Sequence, residues 1–171
     1  MYRLRELKRE DISIINTWRN DKELIDYLGA PFRYINEEVD VLWFENYMKN
    51  RSTSVRCAIV DDDDKILGLI SLMSIDYLNQ SAVLHIMIGN SNNHNKGIGT
   101  FAVEEILNHA FNNLNLHRVE LSVLDSNDRA KHVYEKVGFI CEGKKRRAVF
   151  KNGDFVDLVL YSILKEDFKT D

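Results

Sequence analysis

Apolar residues recur along the chain with two periods, and the changes of period mark its elements. The opening Tyr2-Arg3-Leu4-Arg5-Glu6-Leu7 alternates polar and apolar side chains, which predicts a short strand. Asp11 precedes Ile12-Ser13-Ile14-Ile15-Asn16-Thr17-Trp18, where Ile14 and Trp18 share a helical face and Asp11 is placed to cap it. A second helical stretch from Asp21 to Leu28 stops at Gly29, with Pro31 just beyond. A third, Asn36 to Lys49, sets Val39, Leu42, Trp43 and Tyr47 on one side.

From Val55 the period becomes two. Val55–Val60 and Ile66–Ile75 are strand-like and flank Asp61-Asp62-Asp63-Asp64, which reads as a solvated hairpin turn. A calcium loop would space its ligands more widely and add a distal glutamate. Ala82–Ile88 is another strand, with Leu84, Ile86 and Ile88 on one face and Val83, His85 and Met87 on the other. A polar, glycine-bearing loop from Gly89 to Thr100 then opens a helix in which Val103, Leu107, Ala110 and Leu114 recur at helical spacing. Strand Arg118–Leu124, helix Asn127–Val137 and strand Phe139–Val149 follow. An Asn-Gly turn at Lys151–Asp154 leads into a last strand, Phe155–Leu164. The expected fold is α+β, a mainly antiparallel central sheet of about seven strands flanked by helices.

The chain has 171 residues, 44% of them hydrophobic and 29% charged, the size and make-up of one globular domain spanning residues 1–171. Its apolar runs are of strand length and its start is charged throughout, so we expect no membrane span, no leader and a cytoplasmic protein. A net charge of −4 argues against nucleic acid as the main partner. Cys57 and Cys141 cannot complete a four-cysteine zinc site and read as reduced, half-buried thiols; no metal is expected.

Candidate chemistry concentrates in two segments. In His94-Asn95-Lys96-Gly97-Ile98-Gly99-Thr100, glycines between a strand and a helix let a ligand approach the backbone, and the helix start offers unpaired N–H groups suited to a diphosphate. The lysine precedes the glycine, unlike a P-loop, and no third glycine or early parallel unit supports a dinucleotide fold. The second segment is Asn127-Asp128-Arg129-Ala130-Lys131-His132-Val133-Tyr134-Glu135-Lys136-Val137-Gly138-Phe139. On a helix its Asn127, Ala130 and Tyr134 fall near one face, and small Ala130 leaves room beside them.

In this order, the two segments resemble the GCN5-related N-acetyltransferase (GNAT) superfamily, and the resemblance spans essentially the whole chain. It implies acetyl transfer from acetyl-CoA to an amine. By position, His94, Asn95, Lys96, Gly97, Ile98, Gly99 and Thr100 would bind the CoA diphosphate. Ile86, Met87 and Ile88 would hydrogen-bond the pantetheine arm, and Asn127, Ala130 and Tyr134 would line the thioester end. Asn127 can equally be a helix cap, and Tyr134 a core residue. Tyr134 suits a proton donor to the departing thiolate, since a tyrosine keeps its proton at neutral pH. Many relatives carry a glutamate where this chain has Val83; His85, two residues on, either packs or takes the amine's proton. His94 stands where an arginine or glutamine is frequent.

Within that superfamily, Leu4–Ile12, Trp18-Arg19-Asn20, Tyr134–Phe139 with Glu142-Gly143, and the Asn152–Asp157 ending resemble the branch of bacterial spermidine N-acetyltransferases and ribosomal-protein alanine acetyltransferases. The branch implies a small-molecule amine, a polyamine such as spermidine foremost, with a protein N-terminus or an amino-sugar nucleotide as alternatives. It also implies a homo-oligomer. A polycation needs carboxylates, and Asp26, Glu37, Asp40 and Glu45 are the candidates, although acids on the wet face of amphipathic helices give the same pattern. Lys144–Arg147 reads as a solvated strand edge. A CoA-binding module without turnover is the non-enzymatic alternative.

Overall fold

Seven strands form one sheet in the order β1-β2-β3-β4-β5-β7-β6 in this computed structural model, which describes residues 1–169. The strands are β1 (Arg3–Glu6), β2 (Val55–Val60), β3 (Ile66–Asp76), β4 (Ser81–Ile88), β5 (Arg118–Leu124), β6 (Ile140–Lys151) and β7 (Asp154–Leu164). The helices are α1 (Ile12–Arg19), α2 (Lys22–Asp26), α3 (Glu37–Lys49), α4 (Ile98–Asn108) and α5 (Asp128–Val137). Neighbouring strands run antiparallel except β4 and β5, which α4 connects and which are parallel. The α+β sheet and its helices follow the pattern expected from the sequence.

Alternation within the strands sorts the helices to the two faces. Ile70, Leu72, Leu84, Val119 and Leu121 face α4 and α5, where Ala102, Val103, Ile106 and Leu107 are fully or nearly fully buried. Leu69 and Met87 point the other way, against Leu7, Ile12, Ile15, Trp18, Phe44 and Tyr47 of the α1–α3 layer. Gly89, just past β4, locks that layer: a Cβ there would lie 1.9 Å from the Trp18 indole. No helix among the described residues is long and apolar enough to cross a membrane.

Five local expectations need correction. Asp11 does not cap α1; Arg5 takes both its carboxylate oxygens at 2.8 Å, and the carboxylate accepts instead from the Lys8 amide. Val39 and Leu42 are exposed, because α3 turns Asp40, Phe44 and Tyr47 inward. Asp64 in the acidic turn binds Lys8, Arg5 and Arg3; Lys8 and Arg5 hold its carboxyl well below the usual range, so the turn is tied to β1 rather than merely solvated. Cys141 is exposed; Cys57 is half-buried, and burial pushes its thiol up to about 11. Helix α4 also ends earlier than its apolar spacing predicts and continues as a widened π turn, His109–Asn113.

Candidate active site

The parallel pairing of β4 with β5 lasts only from Ser81↔Arg118 to Val83↔Glu120. Beyond it, β4 stays with β3 as far as Ile88, while β5 stays with β7 as far as Leu124. The two strands therefore part, and the β4 backbone from Leu84 onward has no strand partner on its β5 side. A cavity of about 1100 Å³ occupies this gap and continues across the sheet to the α1–α3 layer. Its walls include Ile86, Met87 and Ile88, the N-terminal end of α4, the inner face of α5, and the segment Leu24–Ala30. Lys151 pins that last segment, its Nζ donating to the Ile25 and Ala30 carbonyls from a buried position.

At the α4 end, Gly97 has φ +77°, a left-handed conformation that a side chain disfavours. Nothing lies within 4 Å of a Cβ built on Gly97 or Gly99, so both open onto free space. The amides of Gly97, Ile98 and Gly99 find no acceptor among the described residues, as expected of a helix start, and with the helix dipole they form an anion cradle. His94, Asn95, Gly97, Ile98, Gly99 and Thr100 line the cavity, whereas Lys96 is exposed and does not. Arg129 of α5 reaches the His94 Nδ1 at 2.7 Å and adds a second cation with Lys136 on this wall. Burial, with Arg129 second, lowers the His94 pKa, so His94 accepts that hydrogen bond as a neutral ring. Arg129 lies inside the Asn127–Phe139 segment but carries no sequence signal that marks it for this wall.

Tyr134 sits on the inner face of α5, 7% exposed, with ring centroids 5.7 Å from Phe139 and 6.3 Å from Tyr161. It lines the cavity, and its hydroxyl makes no hydrogen bond to a described residue. Burial pushes its pKa up to about 12. Asn127 caps α5 and also faces the cavity. Its Oδ1 accepts from the Ala130 amide at 3.1 Å as the α5 cap, its Nδ2 donates to the Tyr27 carbonyl at 3.0 Å, and it lines the cavity beside Ala130.

Across the sheet, Arg56, Ser71 and His85 stand in register on β2, β3 and β4 and share one face. His85 is open to the cavity but enclosed by its walls; this desolvation, with the charge of Arg56 second, lowers its pKa below the usual 6.5. Trp43 of α3 covers Arg56, whose guanidinium lies 4.5 Å from the ring centroid, and Arg19 is 5.9 Å from the same ring. Nothing local in the sequence marks Arg56, Ser71 and Trp43 for this role, because strand register and the packing of α3 on the sheet bring them together.

The four expected acceptor-binding acids lie elsewhere. Asp40 is fully buried and binds Arg19 and the Asn16 amide group. Glu45 pairs with Arg9 at 2.9 Å, Asp26 with Lys22 at 2.8 Å, and exposed Glu37 accepts from Ser13. None of them lines the cavity, and among the described residues no aspartate or glutamate does.

A family model described as an acetyltransferase (GNAT) domain matches residues 2–140. The chain belongs to the GNAT family. It is an acetyltransferase. A spermidine N(1)-acetyltransferase of Vibrio cholerae is 29% identical over 166 residues, covering 96% of this chain and 94% of that protein. A putative ribosomal N-acetyltransferase of Bacillus subtilis is 36% identical over 107 residues, 63% of this chain and 58% of its own length. The crystal structure of spermidine N-acetyltransferase from Vibrio cholerae in complex with CoA and spermine superposes with a TM-score of 0.88 at 27% identity, over 97% of this chain and 96% of that one. Over that span this GNAT chain has the same fold as an enzyme whose crystal structure holds CoA.

Proposed function

We propose that this GNAT protein moves the acetyl group of acetyl-CoA to the primary amine of a small molecule by direct attack on the thioester. What supports this most is the single cavity that joins the amide cradle at Gly97–Gly99 to the His85 face of the sheet. The diphosphate fits the cradle, whose open amides and nearby Arg129 and Lys136 supply positive potential. The unpaired edge of β4 at Ile86–Ile88 offers N–H and C=O groups to the pantetheine amides, and an amide there can also meet the developing oxyanion. Tyr134, held neutral by burial, donates a proton to the leaving thiolate.

The amine arrives charged. Removing its proton at pH 7 costs roughly 4–5 kcal/mol for an alkylamine of lysine-like pKa. His85 is neutral at that pH and faces the cavity, so it serves as the base. Wild-type kcat/KM is expected to fall as pH drops through the His85 pKa, which lies below 6.5, and to level off above it. In His85→Gln, only amine already deprotonated in solution reacts, so kcat/KM should climb about tenfold per pH unit with no plateau up to the amine pKa. A plateau surviving in the variant rules out His85 as the base.

Gly99→Val tests the cradle. A Cβ at Gly99 has no described atom within 4 Å and no left-handed backbone to strain, but it intrudes where the diphosphate belongs. The expected result is an acetyl-CoA Kd raised about tenfold or more by calorimetry, with Tm lowered by no more than about 2 °C.

A polyamine is the acceptor that the spermidine-acetylating relatives support. The ribosomal relative supports a protein N-terminus over a shorter stretch. The cavity wall itself favours an amine over a polycation, because it carries Arg19 and Arg56 and no described carboxylate.

A further inference from the structure

Among the described residues, Arg56 is a cation without a counter-ion. Arg19, its neighbour on the same wall, is neutralised by Asp40, and Arg51 on the strand's approach pairs with Glu6. Arg56 forms no ion pair among the described residues, and its Nε is enclosed with no hydrogen-bond partner. Trp43 covers it at 4.5 Å and Tyr47 lies 5.9 Å away, so the aromatic layer holds the guanidinium in place by cation–π attraction but accepts none of its N–H bonds. A desolvated guanidinium left unpaired costs stability, and a planar donor fork of this kind matches carboxylate or phosphate oxygens. Burial and the nearby Arg19 charge also lower its pKa, the expected mark of a cation lacking an anion.

We propose that Arg56 holds an anionic group, a carboxylate or a phosphate, carried by the acceptor molecule whose amine reaches His85. Arg56↔Ser71↔His85 is one cross-strand row, which places the two backbones about 10 Å apart at ordinary strand spacing. Both side chains project into the same cavity, so one small molecule bearing an amine and an anion spans them, with the Ser71 hydroxyl between. A polyamine would instead bring its second ammonium toward Arg56. The proposal rests on the amine-transfer reading above and names its substrate class.

The test measures thiol release from acetyl-CoA with matched amines: β-alanine against propylamine, phosphoethanolamine against ethanolamine, and spermidine. The wild-type enzyme is expected to favour at least one anionic member over its neutral match by about tenfold or more in kcat/KM. The first pair reads a carboxylate and the second a phosphate. In Arg56→Gln that preference ratio should collapse toward one, and Arg56→Lys, which keeps the charge on a similar stem, should recover part of it. Acetyl-CoA binding measured in each variant confirms that the fold persists. Equal rates within both pairs, spermidine as the best acceptor, or a preference unchanged in Arg56→Gln overturns the anion assignment while acetyl transfer stands. No thiol release from any of the five amines, by protein that binds acetyl-CoA, overturns the transfer reading and this assignment with it.

Discussion

Tyr134→Phe is expected to lower kcat by about two to four orders of magnitude while leaving the acetyl-CoA dissociation constant within about twofold. The substitution removes one oxygen from a ring whose contacts with Phe139 and Tyr161 are otherwise kept. The hydroxyl makes no hydrogen bond among the described residues, so its loss leaves no protein group unsatisfied. Its work is then confined to the cavity it lines. Because burial holds its pKa at about 12, the proton is present over the whole assay range and Tyr134 adds no alkaline limb below about pH 10. Rapid-quench measurement of the chemical step, beside calorimetry of cofactor binding, checks both halves. Equal loss of rate and affinity would sink the proton-donor role and return Tyr134 to core packing.

Asp40→Ala carries the largest expected effect on stability. Asp40 is wholly buried in α3 and joins Arg19 to the Asn16 side chain, which itself donates to the Ile35 carbonyl at 3.0 Å. Removing the carboxylate leaves one N–H of Asn16 without an acceptor and a second guanidinium unpaired beside Arg56. The expected loss is about 3–4 kcal/mol, or a Tm lower by roughly 10 °C for a chain of this size. Asp40→Asn, which keeps an acceptor oxygen, should lose less. If Asp40 served instead as an acceptor ligand, the variant would show a raised KM for amine with Tm unchanged. Calorimetry and steady-state kinetics on the same preparation separate the two.

The cofactor side of the candidate site was legible because it is local. His94–Thr100 and Asn127–Phe139 are consecutive residues in which glycine, a cap and helical spacing together specify a strand–loop–helix start and the face of α5. Only Lys96 of that first segment stands off the cavity, since Asn95 and Gly97 turn the backbone through left-handed conformations on either side of it. The acceptor side was not legible. Asp26, Glu37, Asp40 and Glu45 were the candidates because a polycation needs carboxylates, and helical spacing alone does not say which acids pair with cations of their own chain. In the structure Asp40 enters the interior because Arg19 waits there for it, and α3 rotates Val39 and Leu42 to the surface.

By itself the sequence determined the alternating strands, the glycine-bearing loop before α4, the capped α5 with its inward tyrosine, and the family these compose. Each depends on neighbours within a few turns or one hairpin, where backbone geometry ties spacing to direction. The tertiary structure alone decided that β4 and β5 part after Val83, which opens the cavity and bares the β4 edge. It alone brought Trp43, Arg56, Ser71 and His85 from α3 and three strands to one face. It also consumed four carboxylates in ion pairs and hydrogen bonds away from that face. Register and helix rotation are set by long-range packing, and the charge of the cavity follows from which partners that packing leaves unmatched.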